Sequence, residues 1–340
     1  MPAIAIAVLA LVSAGALFQF IGTRRGARTC AASGAMIDAG AHRVHAVSAG
    51  TGSPSVLLEA GIAASSLSWT YVLPQVAAFS RVTAYDRAGL GWSDSDPHPR
   101  TFARVVADLE TVVRKTTPPP YVLVGHSFGC FVICALAAKY PDRVAGLVLI
   151  DPPAASEWRE PSRRQARLLA KGIRLSYLGA VMAQIGVVRA CLDLLIGGAP
   201  RVPGTLITPL GPAATAKLRH LVDEVRKLPP DVHPMVKEHW CQPKCFRAMA
   251  GHLRVLKEAA TFISSLSALP GVPLVVISSG ELPPDRIEEH REFARLSPEG
   301  RHVVATRSDH WVQFDEPELV VDAIRTVVDR ARPGTAATVQ

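Results

Sequence analysis

The segment from Tyr121 to Pro141 constrains this chain more than any other. Tyr121-Val122-Leu123-Val124 is an apolar run of strand length. Gly125-His126-Ser127-Phe128-Gly129 follows, and a largely apolar stretch continues to Lys139-Tyr140-Pro141. This order predicts a buried strand, a tight turn carrying one serine, and a helix. Glycines flanking the serine let the backbone turn sharply without Cβ clashes. Such a turn lifts the Ser127 hydroxyl above the sheet and close to a helix N-terminus.

The rest of the chain supplies a sheet for that turn to stand on. Ala35–Asp38 and Arg43–Val47 read as two strands joined through Gly40, and Ser55–Ala60 and Arg81–Tyr85 as the next two. Phe102, Val105, Val106, Leu109, Val112 and Val113 repeat at helical spacing before Pro118-Pro119-Pro120 ends the helix. Another strand, Val144–Ile150, ends at Asp151-Pro152-Pro153. Strands resume at Pro273–Ser278 and His302–Thr306, and a helix with Pro317 in its first turn closes the chain. Strands alternating with helices predict an α/β class with a mostly parallel sheet covered on both faces. Between about Pro152 and Pro270 the pattern is helical, broken by a Gly/Pro-rich stretch from Gly197 to Pro212. The expected division is therefore a core of residues 29–151 and 271–335, a helical insertion at 152–270, and a frayed tail ending at 336–340.

Residues Ala3 to Ile21 carry no charge, and only Ser13 and Gln19 are polar. At a rise of about 1.5 Å per residue they nearly cover a hydrocarbon core of about 30 Å. Arg24, Arg25 and Arg28 follow, and no Lys or Arg precedes the run as a secretory signal would require. Residues 1–28 are thus expected to form a single-pass membrane anchor, with a cleaved signal peptide as the alternative. The arginines place the body after the anchor in the cytoplasm by the positive-inside rule. A chain beginning near Ala31 is expected to be soluble. The formal charge of +8 favours anionic surfaces such as lipid headgroups, and no nucleic-acid motif accompanies it.

The six cysteines show no zinc-site spacing. Cys130 and Cys134, four apart on the helix after Ser127, read as small buried groups, and Cys241 and Cys245 are expected to fall on one helical face, with a metal role the less favoured reading. The chain has no Asn, which excludes N-glycosylation and any Asn-dependent catalytic scheme. No metal or cofactor is expected.

A serine hydroxyl needs a base to become nucleophilic. Of eleven histidines, His310 in Arg307-Ser308-Asp309-His310-Trp311 follows the last strand, and parallel strands bring that loop to the sheet edge where Ser127 emerges. With these motifs in order the chain resembles the α/β-hydrolase superfamily, from about Met36 to Val328 outside the insertion. Leu57-Leu58-Glu59-Ala60-Gly61-Ile62 resembles the loop after the third strand, and Asp86-Arg87-Ala88-Gly89-Leu90-Gly91-Trp92-Ser93 the family's D-x-R-G-x-G-x-S turn. Ser308-Asp309-His310 resembles its histidine loop. The resemblance implies an α/β-hydrolase fold: a mostly parallel eight-stranded sheet flanked by helices, with the insertion as a helical cap.

It further implies that Ser127 attacks a carbonyl carbon, that His310 moves the proton, and that the amides of Ile62 and Phe128 hold the oxyanion. Ala60 stands where the family's loop usually has histidine. For the acid behind His310 the resemblance offers Asp151, at the end of the sixth strand, ahead of Asp285, with Glu281 third. Asp151 also fits a plain turn before two prolines, and Asp285-Arg286-Ile287-Glu288 has the form of a capping box. His126 is expected to support the elbow, Asp86 and Arg87 to brace the loop beneath the site, and Trp92 and Trp311 to pack near its mouth. His233, His239 and His252 lack metal-ligand spacing.

The function implied is hydrolysis of a small apolar ester or related acyl compound by a membrane-anchored serine hydrolase. Acyl transfer, carbon–carbon bond hydrolysis and cofactor-free peroxidation suit the same residues. A non-catalytic binding module on the same scaffold is the reading from another class. Epoxide hydrolysis and dehalogenation call for an Asp nucleophile, where this chain has Ser127.

Overall fold

The computed structural model describes residues 2–196 and 223–332. The Gly/Pro-rich stretch from Gly197 to Pro212 and the tail lie outside them. Eight strands form one sheet: β1 (Ala35–Asp38), β2 (Arg43–Ala49), β3 (Ser55–Glu59), β4 (Val82–Tyr85), β5 (Tyr121–His126), β6 (Val144–Ile150), β7 (Leu274–Ser279) and β8 (Gly300–Ala305). Their spatial order is β1-β2-β4-β3-β5-β6-β7-β8. β1 and β2 are antiparallel to their neighbours, and all pairings from β4 to β8 are parallel.

The apolar runs are continuous because both faces are covered. In β5, Tyr121 and Leu123 turn to one side, where they meet α3 (Phe102–Thr116) and α4 (Phe128–Lys139). Val122 and Val124 turn to the other, joining Val72 and Val76 near α2 (Leu73–Ala77) and the valines of the closing helix, Pro317–Ala331. Thr101 caps α3 by accepting the Arg104 amide, which fixes where that helix begins.

The chain separates into two compact units. One comprises residues 33–171 and 251–340 and contains the sheet. The other comprises residues 1–32 and 172–250, so the N-terminal helix α1 (Pro2–Thr29) belongs to the same unit as most of the insertion. The insertion supplies α5 (Ala155–Arg159), α6 (Arg163–Gln184), α7 (Val187–Ile196), α8 (His233–Trp240) and α9 (Pro243–Ser264). Compactness thus divides the chain differently from the expected 1–28 and 152–270. The physical reason is side-chain burial: Val255, Leu256, Ala259, Ala260 and Ile263 of α9 pack into the sheet unit's core with Phe102 and Phe128. α10 (Pro284–Ala294), α11 (Val312–Asp315) and α12 (Pro317–Ala331) complete the sheet unit.

Candidate active site

Ser127 ends β5 with φ 52° and ψ −127°, a conformation that L-residues avoid and that a sharp strand-to-helix turn demands. Its amide donates to the Ile150 carbonyl at 2.8 Å, tying the turn to β6. Although it occupies the N-cap of α4, its side chain makes no capping bond. The flanking glycines are required by crowding. A Cβ on Gly125 would lie 2.8 Å from the Cys130 amide nitrogen, and one on Gly129 would press on the carbonyls of Glu59 and Ala60. Cys130 and Cys134 are fully buried on α4, as their spacing predicts, and burial holds both thiols protonated.

The loop after β3 passes directly over this turn. A Cβ on Gly61 would lie 3.0 Å from His126 Nδ1 and 3.3 Å from Ser127 Cβ, so glycine lets the loop pass this close to the serine turn. Arg87, 2% exposed, holds that loop from below. Its Nη2 donates to the Ala60 carbonyl at 2.7 Å and also to the Gly61 carbonyl. Its Nε lies 3.4 Å from Glu59 Oε1. Burial lifts the Glu59 carboxyl to about 7, and Arg87 beside it opposes the rise. Asp86 braces the neighbouring turn: its carboxylate accepts the amides of Ser66 (2.7 Å) and Trp92 (3.0 Å) and lies 2.9 Å from His45 Nδ1. The expected bracing role of Asp86 and Arg87 is what these bonds describe.

His310 lies between β8 and α11, with its Nδ1 2.6 Å from Asp151 Oδ2. Asp151 follows β6 with φ 45°, and its second oxygen accepts the Ser279 amide at 3.1 Å. Burial pushes the Asp151 carboxyl up, but the bonds from His310 and Ser279 outweigh it and hold the group below its ordinary range. Asp285 and Glu281 are exposed, and neither contacts His310. The capping box read at Asp285 does not form. The helix begins at Pro284 with Pro283 as its N-cap, which puts Asp285 inside the first turn, and no side chain caps that end.

His126 does more than support the elbow. Its Nε2 lies 2.7 Å from the His310 carbonyl, and its ring packs 4.7 Å from the His310 ring and 5.1 Å from Trp311. Burial, and then the charge of His310, drive its pKa down to about 3, so His126 is neutral and Nε2–H is the donor. Sequence reasoning missed this clamp, because nothing local to Gly125–Gly129 says which distant loop the ring will meet. Trp92 stacks at a tilt on His45 and Trp311 stacks on Phe314, both as packing. His252 is buried against Phe128, with ring centroids 5.9 Å apart. Cys241 and Cys245 belong to no cluster of three metal-ligating side chains among the described residues. A cleft of about 250 Å³ bordered by Pro153, Ile263, His290 and Phe293 contains neither Ser127 nor His310.

A family model described as the alpha/beta hydrolase fold matches residues 54–179, a span that includes the β3 loop, the Asp86 turn and the serine turn. Over that span the chain is similar to this family, and its eight-stranded, mostly parallel sheet has the α/β-hydrolase fold. A solved esterase from Thermogutta terrifontis superposes with a TM-score of 0.59 at 24% identity, covering 88% of this chain and 99% of that one. An AB hydrolase superfamily protein of Gibberella zeae is 24% identical over 82% of this chain and 87% of its own length. Epoxide hydrolase 4 of Mus musculus is 31% identical over 35% of this chain and 34% of its own. For most of the curated relatives it matches, the chain spans less than half of their length.

Proposed function

We propose that this protein is a serine hydrolase that cleaves an apolar ester or related acyl compound through an acyl-enzyme on Ser127. The observation that carries the reading is the 2.6 Å contact between His310 Nδ1 and Asp151 Oδ2, in a loop held by His126, the residue before a serine at φ 52°. With Nδ1–H bound to the carboxylate, the Nε2 lone pair of His310 takes the Ser127 proton as Oγ attacks the carbonyl carbon. The amides of Phe128 and Ile62 hold the oxyanion, each contributing about 3 kcal/mol of barrier stabilisation. His310 then gives the proton to the leaving group, and water attacks the acyl-enzyme by the reverse route.

Epoxide hydrolysis, the activity named for the Mus musculus relative, would proceed through an Asp ester at the elbow. Ser127 occupies that place, which favours acyl chemistry over epoxide opening. α1 is the one helix among the described residues that is by itself long and apolar enough to cross a membrane, and it supports a membrane-anchored reading.

A fluorophosphonate probe tests the proposal. Wild type is expected to label, and Ser127→Ala to lose all labelling. Folded wild type that does not label, or labelling that persists in Ser127→Ala, overturns it. A series of p-nitrophenyl esters of increasing chain length then defines the acyl group.

A further inference from the structure

We propose that α1 and the elbow between α6 and α7 enter one lipid leaflet together as a single body, so that the insertion is itself membrane-embedded. The inference rests on the membrane reading of α1 above and is independent of the chemistry at Ser127.

The face of α1 that turns inward repeats at three to four residues: Gly15, Gln19, Gly22 and Gly26, with Gln19 and Gly26 buried. Elsewhere α1 exposes Ile4, Leu9, Leu11, Leu17 and Phe20. A Cβ on Gly15 would strike the Ile185 carbonyl, one on Gly22 the Arg189 side chain, and one on Gly26 the Glu238 carboxylate. At these three positions the helix fits only because it has no side chain there. Small residues at this spacing allow the close approach of helices in lipid.

Arg189 explains why α1 is held there. It is 3% exposed, and its two terminal nitrogens donate to Glu238 Oε1 at 2.6 Å and Oε2 at 2.8 Å. Its Nε donates to Gln19 Oε1 at 3.0 Å, and Gln19 Nε2 donates to the Cys241 carbonyl at 3.0 Å. A buried charge is tolerated when it is paired and fully hydrogen-bonded, and α1 accepts two of those bonds, at Gln19 Oε1 and at Thr23 Oγ1 (3.5 Å), and supplies the cover over the pair. Cleaving α1 as a signal peptide, or starting the chain near Ala31, would remove both. The helix is thus a structural part of the insertion.

The elbow is the second observation. From Leu175 to Val188 the chain has no charged residue. α6 and α7 meet there at 87° around Gly186, whose φ is +76°. Leu175, Leu178, Val181 and Val187 are 53%, 51%, 56% and 43% exposed. This apolar surface continues that of α1, because Gly15 lies against Ile185. Gly15 stands six residues before Ile21, so the elbow lies about 9 Å inside the end of the apolar run, within one leaflet of a core about 30 Å thick. Arg24, Arg25 and Arg28, all exposed, follow the end of the apolar run, where anionic headgroups would pair with them. Continuity with a bilayer-length helix and the absence of charge commit the occupant of this face to lipid.

The test uses the full chain carrying Cys30→Ser and Cys191→Ser, which leaves only buried thiols. Val12→Cys, Val181→Cys, Val187→Cys or Glu292→Cys is added singly and labelled with a polarity-sensitive fluorophore. The proteins are reconstituted in phosphatidylcholine–phosphatidylglycerol vesicles with and without brominated acyl chains. Labels at 12, 181 and 187 are expected to shift to the blue and be quenched by bromine to a similar extent, while the label at 292 does neither. Quenching at 12 with water-like emission at 181 and 187 overturns the proposal and leaves the anchor standing. Blue-shifted emission at 181 without bromine quenching means a second copy covers the face, and also overturns it. Water-like emission at 12 overturns the anchor reading itself.

Discussion

His126 Nε2 lies 2.7 Å from the carbonyl oxygen of His310, so the residue before the serine holds the backbone of the histidine loop. This bond joins the two halves of the proposed catalytic machinery. His126→Phe keeps a ring for His310 and Trp311 but removes the donor. A hydrogen bond of this kind contributes about 1 kcal/mol, so ester turnover is expected to fall about fivefold to tenfold, with KM little changed. Unchanged turnover in the folded variant would show that the histidine loop needs no clamp.

The Asp151–His310 contact separates the acid candidates. Asp151→Asn is expected to lower kcat by about 10⁴ with the fold intact, because the amide can no longer hold the productive tautomer of His310. Asp285→Asn, on the exposed first turn of α10, is expected to match wild type within about twofold, in line with surface substitutions. Steady-state kinetics on one ester, with circular dichroism as the fold control, decides between them.

Arg87 acts through the loop that carries Ile62. Arg87→Met strips the donors from the Ala60 and Gly61 carbonyls and leaves Glu59 without its cation. Bonds from a charged donor are worth about 1.5–3 kcal/mol, so kcat is expected to drop about tenfold to a hundredfold. The rate of fluorophosphonate labelling should fall in parallel, whereas a purely stabilising role would lower only the melting temperature.

Glu59 and His126 make opposite contributions to stability as pH changes. The Glu59 pKa is raised to about 7 in the fold, so between about 4.5 and 7 the folded state holds the proton and stability falls as pH rises. The His126 pKa is lowered to about 3, so below about 6.5 the unfolded state takes the proton and stability falls as pH drops. Glu59→Gln removes the first effect. Urea unfolding between pH 4.5 and 6.5 should then lose stability on acidification more steeply than wild type, by up to about 1.4 kcal/mol per pH unit. Parallel curves for the two proteins would place the Glu59 proton elsewhere.

The sheet was legible in the sequence because each strand is a short apolar run bounded by turn residues, and burial on both faces leaves little freedom in reading it. β1 occupies the residues that its pattern predicts, β2 begins at Arg43 as expected and runs two residues beyond Val47, and the strand, turn and helix from Tyr121 to Lys139 follow in the expected order. Ser127 and His310 were legible because each sits at a fixed place relative to a strand end. The choice between Asp151 and Asp285 was not, since both follow a strand and both have local turn or capping roles. The N-terminal segment shows the same limit. Its length and lack of charge were plain from Ala3 to Ile21, while the glycines at 15, 22 and 26 read as no more than permissive helix positions.

The sequence by itself determined that this chain builds a parallel α/β sheet, presents Ser127 on a sharp turn and opens with a helix of bilayer length. Those properties depend on local pattern: period, backbone permission and the cost of burying charge. Only the tertiary structure decided that Asp151 meets His310, that His126 ties the serine turn to the histidine loop, and that Gln19 completes the buried Arg189–Glu238 pair. Each of these contacts joins residues far apart in the chain, at sequence separations of 159, 184, 170 and 49. A polar side chain gives no local sign of its distant partner, because the free energy of that pairing exists only once the intervening chain has folded and excluded water.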